Sequence, residues 1–313
     1  MRIAVVGVGS LGQHHARILS ALPEARLVAV VDRDAFRADT IAARHGVAAL
    51  TDHHRLPPDL EAVTIAVPTS DHAEVASDCL RRGLDVLVEK PMAATVAEAT
   101  SLVAAAEAAG RMLLVGHTER FNPVVRAATE RTRDARFIEA HRLGVFSDRS
   151  TDVDVVLDLM IHDLDIALSL VRSEIAAVDA VGVAALTGKT DIANARLRFA
   201  NGCVANLTAS RISTDKVRKL RIFERDAYLS IDYARQEGLL YSLKRSPGVP
   251  RPEIVRESLP VVPEEPLQAE LRAFVHRIRG ADVPVVTASQ GLAALRLASR
   301  ILDQISASSG GAG

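Results

Sequence analysis

The chain opens on a short apolar run, Ile3–Val6, that breaks into Gly7-Val8-Gly9-Ser10-Leu11-Gly12 and continues as a helical stretch near 11–21. Few features limit a fold more than glycines at this spacing between a strand and a helix. The first permits a tight turn, the second lets backbone approach a pyrophosphate, and the third lets the helix pack closely on the strand. The helix N-terminus beyond them offers free N–H groups and the positive end of its dipole to phosphates. Asp32 ends the second apolar run, 20 residues past Gly12, where a carboxylate can accept hydrogen bonds from both ribose hydroxyls of an adenosine. Gly7, Gly9, Ser10, Leu11, Gly12 and Asp32 therefore read as a dinucleotide site. The acid would repel a 2′-phosphate, which favours NAD over NADP, although Arg33 beside it offers a charge that can receive that phosphate.

The rhythm that follows supports this reading. Strand-like runs at Leu27–Val31, Val63–Val67, Val86–Val88 and Met112–Val115 alternate with helical stretches near 34–45, 71–82 and 95–109. The helical stretches close on Gly46, Gly83 and Gly110, the residue type that best ends a helix. Runs that are apolar throughout, not alternately, suit strands buried on both faces of a parallel sheet, so residues 1–118 predict a doubly wound α/β domain. Beyond it the pattern changes. A helix near 120–132, a strand near 137–146 and an apolar helix near 152–171 precede strand-like runs near 177–186, 194–200, 203–210, 217–224, 227–232 and 238–243. Asn201-Gly202 reads as a hairpin turn. Strands with so little helix between them predict a large open, mostly antiparallel sheet in a second domain, 119–305, finished by helices near 266–279 and 288–305. The Pro-rich stretch 247–266 reads as a surface connection, and residues 306–313 as a disordered tail.

Bulk composition removes several function classes. Lys plus Arg (38) nearly balances Asp plus Glu (39), so no electrostatic case exists for nucleic acid or an anionic membrane as partner. No apolar run approaches the roughly 20 residues of a membrane span, and the start of the chain does not read as a secretion signal. Cys79 and Cys203 lie far apart and in no metal-ligand spacing. As buried free thiols they suit a reducing cytoplasm.

Three further stretches carry candidate chemistry. Glu89-Lys90-Pro91 closes the run that begins at Asp85. Ligands of open α/β sheets bind beyond the C-terminal strand ends, so Lys90 there either points at a nicotinamide or is a solvated surface lysine. Pro68-Thr69-Ser70-Asp71-His72 follows the preceding strand. Its backbone can line the cofactor, Ser70 or Asp71 can cap the next helix, and His72 serves either packing or the cofactor. On the helix near 152–171, at about 100° per residue, Asp154, Asp158, His162, Asp165 and Ser169 fall within roughly 80° of one another, with Asp163 pointing elsewhere. Isolated buried charges are costly, so this stripe faces water, a partner or a cleft. Asp158 and His162 are four residues apart, close enough for the carboxylate to orient the imidazole, or simply to satisfy it inside the fold. A metal would need further ligands that the sequence does not supply, and none is expected.

The glycine turn, Glu89-Lys90-Pro91 and Asp158-x-x-x-His162 resemble the glucose–fructose oxidoreductase/inositol dehydrogenase/MocA family across nearly the whole chain. The resemblance implies an NAD(P)-dependent dehydrogenase acting on an alcohol, with Lys90, Asp158 and His162 as its catalytic group. Arg33, Pro68, Thr69, His72, Glu89 and Lys90 then join the cofactor contacts. Met160 departs from the pattern, since many members carry glycine there. Gly116-His117-Thr118-Glu119-Arg120-Phe121-Asn122-Pro123 and Asp152–Asp163 are similar to sugar-nucleotide 3-dehydrogenases, especially those acting on UDP-N-acetylglucosamine. That similarity places Arg120 and Asn122 near the cofactor or the sugar, along with Lys90, Asp158 and His162; from the residues alone, Glu119–Pro123 reads as a helix start with Arg120 in an ion pair. The family also implies a homodimer or homotetramer built by apposing the C-terminal sheets. Residues 1–118 become the NAD-binding domain and 119–305 the substrate-binding and oligomerisation domain. Free polyols such as inositol are the alternative substrates, and a regulator without turnover is the more distant one.

Overall fold

The computed structural model describes residues 1–146, 153–247 and 251–309. The chain divides into two compact units, Met1–Thr118 with Glu265–Leu295, and Glu119–Glu264 with the stretch from Arg296. Segment 265–295, expected in the second domain, thus belongs with the first.

In the first unit, β1 (Arg2–Val6), β2 (Arg26–Val31), β3 (Ala48–Leu50), β4 (Ala62–Ile65), β5 (Asp85–Glu89) and β6 (Leu113–Gly116) form one sheet in the order β3-β2-β1-β4-β5-β6. Every pairing in it is parallel. Four helices, α1 (Gly12–Ala21), α2 (Ala35–His45), α3 (Thr69–Arg81) and α4 (Val96–Ala109), connect the strands. Strand order reverses between β1 and β4, so the turns after these strands open at the switch point where such sheets bind ligands. The three-residue β3 went unforeseen because Ala48-Ala49-Leu50 is too short and too small to stand out as an apolar run. The core joins Ile3, Leu19, Leu27 and Leu114 to Leu267, Leu271 and Phe274. Those last residues come from α7 (Pro266–Ile278), which explains why 265–295 clusters here.

The second unit is built on eight strands: β7 (Phe137–Leu143), β8 (Ile175–Val183), β9 (Ile192–Phe199), β10 (Val204–Ser210), β11 (Val217–Phe223), β12 (Ala227–Asp232), β13 (Glu237–Lys244) and β14 (Glu253–Ser258). Their order is β14-β13-β12-β11-β7-β10-β9-β8, with only β7 and β10 paired in parallel. Burial alternates along β7 and β9, as expected for a sheet with one face on a core. The Asn201-Gly202 turn joins antiparallel β9 and β10, with Gly202 at φ +87°. β14 lies inside the Pro-rich stretch read as a connection. It pairs with β13 alone and is exposed along most of its length, so no alternation betrays it. Residues 248–250 of that stretch lie outside the described residues.

Three helix boundaries also differ. The helix near 120–132 is a 3₁₀ turn, Thr118–Phe121, followed by α5 (Pro123–Arg131). Asn122 caps α5 and Pro123 occupies its first turn, where a missing N–H costs nothing. The helix near 152–171 is a π-helical stretch, Val156–Met160, running into α6 (Ile161–Val171); Asp152 lies outside the described residues. Finally, α8 (Ala288–Ser309) continues past residue 305 into the expected tail, of which 310–313 are not described. Among the described residues no helix is long and apolar enough to cross a membrane.

Candidate active site

The glycine turn has the geometry its spacing demands. Gly7 sits at φ +83°, and a Cβ there would stand 2.6 Å from the carbonyl oxygen of Ala66. A Cβ on Gly12 would overlap the Gly7 carbonyl oxygen, at 1.7 Å. Only glycine allows helix α1 to start this close to β1. At Gly9 the nearest atom to an added Cβ is Arg37 at 3.9 Å, which leaves the backbone open to a ligand. A cleft of about 460 Å³ opens here, lined by Val8, Gly9, Ser10, Phe36, Arg37 and Thr40 among others. Leu11 begins the first turn of α1, and the Ser10 carbonyl accepts from the Gln13 side chain.

Asp32, 9% exposed, is held by its surroundings. Its Oδ2 accepts from the Val8 N–H at 3.0 Å and its Oδ1 from the Asp34 N–H at 3.0 Å. Arg37 approaches both oxygens, at 3.2 and 3.3 Å. Sequence reasoning missed Arg37 and Phe36, although an arginine five residues past the acid was the available signal. Arg33 turns its guanidinium to Asp71 at 2.9 Å. These features fit a dinucleotide: an open backbone at Gly9, a helix N-terminus, and a fixed acid where a ribose is expected.

After β4, Pro68 is the residue from which α3 starts at Thr69, with no side-chain cap, so neither Ser70 nor Asp71 has the expected capping role. His72 is buried, with Nδ1 2.8 Å from the Pro91 carbonyl oxygen and Nε2 3.0 Å from that of Val67. Both ring nitrogens thus face backbone carbonyls, a packing role that the residues alone also allowed. Half-buried Lys90 follows the end of β5, and its N–H donates to the Glu89 carboxylate at 3.2 Å. Glu89 in turn meets His15 of α1 at 3.1 Å inside the unit, so its carboxylate is also structural.

In the second unit the expected stripe on the α6 helix is divided. Asp154 accepts from the Thr190 N–H at 2.9 Å, Asp165 pairs with Arg120 at 3.3 Å, and the Ser169 hydroxyl donates to the Ile166 carbonyl at 2.7 Å. Asp158 and His162 are both half-buried, the first in the π-helical stretch and the second in the first turn of α6. In that stretch the Ile161 N–H reaches back to Val156, five residues away, which rotates side chains relative to an α-helix. Such π turns recur at functional sites. Met160, the departure from the family pattern, is completely buried.

Arg120 is therefore in the ion pair that its own residues suggested. Asn122 is 3% exposed: its amide donates to Glu119 and to the Tyr233 carbonyl, and its oxygen accepts from Val124. Both amide protons are bonded within the unit, so Asn122 is anchored by Glu119 and Tyr233. Beside them Arg142 forms a two-pronged pair with Asp163 (2.8 and 3.0 Å) and a third bond to Glu119 (2.8 Å). The Tyr233 hydroxyl donates to Asp163 at 3.0 Å. Burial works against the Arg142 charge, but Asp163 and Glu119 outweigh it and hold the guanidinium well above its usual range. Burial and the Asp163 charge push the Tyr233 hydroxyl up.

Cys79 and Cys203 are both free and buried, and burial pushes the thiols up to about 12 and about 11. Among the described residues, the side chains with metal-like spacing are Asp52, His53 and His54, where His53 already bonds Asp78 at 2.9 Å.

Comparison with known proteins bears directly on this arrangement. Residues 1–117 match the oxidoreductase family with an NAD-binding Rossmann fold, and residues 124–229 match the GFO/IDH/MocA C-terminal domain. The chain belongs to the GFO/IDH/MocA oxidoreductase family. Like that family it is an NAD-dependent dehydrogenase. It is 38% identical to UDP-N-acetylglucosamine 3-dehydrogenase of Acidithiobacillus ferrooxidans over 281 residues, 89% of this chain and 88% of the relative. A solved structure of that enzyme, GnnA, superposes with a TM-score of 0.91 at 36% identity, covering 98% of each chain. The NAD-dependent scyllo-inositol 2-dehydrogenase of Bacillus subtilis is 30% identical over 243 residues, 68% of each chain.

Proposed function

We propose that this dehydrogenase oxidises a secondary hydroxyl of a sugar nucleotide, at C3 of UDP-N-acetylglucosamine, with NAD as the acceptor. The observation that carries the reading is the 38% identity to UDP-N-acetylglucosamine 3-dehydrogenase across 89% of the chain. NAD, when bound, supplies the carbon that accepts hydride. Gly7, Gly9, Ser10, Leu11, Gly12 and Asp32 hold the dinucleotide, with backbone from Pro68 and Thr69. Loss of hydride from carbon requires the hydroxyl proton to leave as well. His162 takes that proton, Asp158 orients its imidazole, and Lys90 hydrogen-bonds the same oxygen and stabilises the charge that develops on it. The inositol dehydrogenases among the relatives support a second reading, oxidation of a free polyol by the same residues.

The test is reduction of NAD by purified protein, followed by nicotinamide absorbance, with UDP-N-acetylglucosamine, free sugars, inositol and NADP in parallel. A carbonyl trap relieves an unfavourable equilibrium. Signal with the UDP-sugar alone supports the first reading, and signal with inositol alone replaces it by the second. Lys90→Met should leave NAD affinity close to that of the parent while turnover falls steeply; parent-like turnover would sink the mechanism. The same reading includes a homodimer or homotetramer formed through the second unit's sheet, with scattering in solution as its check. It also places the enzyme in the cytoplasm, a compartment whose reducing poise suits two free cysteines.

A further inference from the structure

Lys90 lies between two residues that buried histidines hold from different helices. On its N-terminal side, Glu89 is held by His15 of α1 at 3.1 Å. On its C-terminal side, the Pro91 carbonyl is bonded by His72 of α3 at 2.8 Å. The other nitrogen of His72 reaches the carbonyl of Val67 at 3.0 Å, two residues beyond the end of β4. One imidazole, 1% exposed, therefore joins the carbonyl that follows Lys90 to the loop that opens after the neighbouring strand.

A carbonyl oxygen can only accept, so each ring nitrogen that bonds one must carry a proton. A neutral imidazole holds one of the two carbonyls, and an imidazolium holds both. Burial pushes His72 below its ordinary value, while the two carbonyls and the charges of Glu89 and Asp71 oppose that shift. In both protonation states the ring supplies a donor that an apolar side chain of the same size would not. Without it, the carbonyl that accepts from the ring loses its partner, and at the buried Pro91 carbonyl an unmet acceptor costs desolvation free energy.

We infer that His72 is a positioning residue of the catalytic reaction: set between the carbonyls of Pro91 and Val67, and donating to one of them when neutral and to both when protonated, its ring sets where Lys90 leaves the backbone. In this role it acts through Lys90 and not by contact with substrate or cofactor. The inference rests on the role given to Lys90 above. A displacement of about 1 Å at a reacting group can cost on the order of a hundredfold in rate, so a brace one residue away has leverage on turnover.

The test uses the full chain with His72→Phe, which keeps ring volume and removes both donors, and His72→Gln, which restores an amide donor. NAD affinity is measured by calorimetry, and kcat and KM for the sugar nucleotide well below each variant's melting temperature. The expected result for His72→Phe is a kcat loss of about tenfold or more, with KM and the NAD Kd within about threefold of the parent. His72→Gln should recover part of the loss, which a merely structural role would not produce. A parent-like kcat in His72→Phe, or kcat and NAD affinity falling together, overturns the inference. Should the Phe variant fail to fold, the Gln variant decides by the same split between kcat and NAD affinity. Lys90→Met runs alongside. If it keeps turnover, the role of Lys90 fails and this inference with it; if it is inactive while His72→Phe is parent-like, only the brace fails.

Discussion

His15 Nε2 stands 3.1 Å from Glu89 Oε1, with the two side chains 0% and 6% exposed. The other ring nitrogen, Nδ1, is buried without a hydrogen-bond partner among the described residues. The proton therefore belongs on Nε2, where the carboxylate accepts it, and the bond ties the first turns of α1 to the strand end that carries Lys90. Gly116 on β6 leaves the room this requires, since an added Cβ would lie 2.9 Å from the Glu89 carboxylate.

Two substitutions follow from that geometry. Gly116→Ala forces the carboxylate off His15 and should cost about 1–3 kcal/mol, the range of overpacked cores. His15→Leu removes the donor from a buried carboxylate oxygen and should cost about 1–3 kcal/mol or more. Thermal melts check both, and parent-like melting in the pair would show that the contact contributes nothing.

Cofactor choice should turn on Asp32. Asp32→Asn keeps the shape of the side chain but removes the charge that faces a 2′-phosphate. The expected outcome is a loss of about tenfold in NAD affinity, as for a hydrogen bond to a charged group, with a gain for NADP. Calorimetry with both dinucleotides measures it, and an unchanged preference for NAD would move the discrimination elsewhere, Arg37 being the next residue to vary.

The buried Arg142–Asp163 pair predicts strong non-additivity. Arg142→Met leaves Asp163 without its cation, and Glu119 with Arg218 at 3.9 Å, and should cost about 3–5 kcal/mol. Asp163→Leu in the same chain removes the stranded carboxylate, so the double variant should be less destabilised than the sum of the singles, by about 0.5–3 kcal/mol. Tyrosine fluorescence during urea unfolding reads this unit selectively: the chain has three tyrosines, at 228, 233 and 241, and no tryptophan. Strict additivity would mean that the pair is not coupled.

Asp191 gives an acid-dependent signal. Burial disfavours its ionised form, but N–H groups of Leu186, Thr187 and Ala185 and the Thr187 hydroxyl outweigh that and hold the carboxyl at about 2, against 3.8 ordinarily. A folded-state value below the unfolded one stabilises the fold above the unfolded value, and this stability is lost as pH falls from about 3.8 to about 2. Asp191→Asn should be less stable than the parent at neutral pH, with the gap narrowing across that window. A gap that stays constant with pH would refute the linkage.

Much of this molecule is local and therefore legible in residue order. The glycine turn, Asp32 and the doubly wound rhythm depend on spacing within about one strand–helix unit, and Gly7 and Gly12 sit where only glycine fits. The Asn201-Gly202 hairpin and the alternation along β9 are equally short-range. Lys90, Asp158 and His162 are visible as residue types at particular positions, and the roles proposed for them come through family resemblance.

What residue order did not disclose depends on partners far away in the chain or on helical phase. His72 stays open between packing and the cofactor in residue order, because nothing local shows that a carbonyl 19 residues on will meet its Nδ1. The polar stripe assumed a regular α-helix, and the π-helical turn at Val156–Met160 altered that phase. Asn122 and Arg120 were committed by Tyr233 and Asp165, which the sheet and α6 bring to them. The exposed edge strand β14 and the return of 265–295 to the first unit left no periodic signal of their own. By itself the sequence determined the two architectures and the chemistry of the dinucleotide turn, because turns and strand–helix repeats are decided by neighbouring residues. Only the tertiary structure decided which polar side chains hold the fold together, because a buried donor goes to whichever acceptor the completed core places within reach.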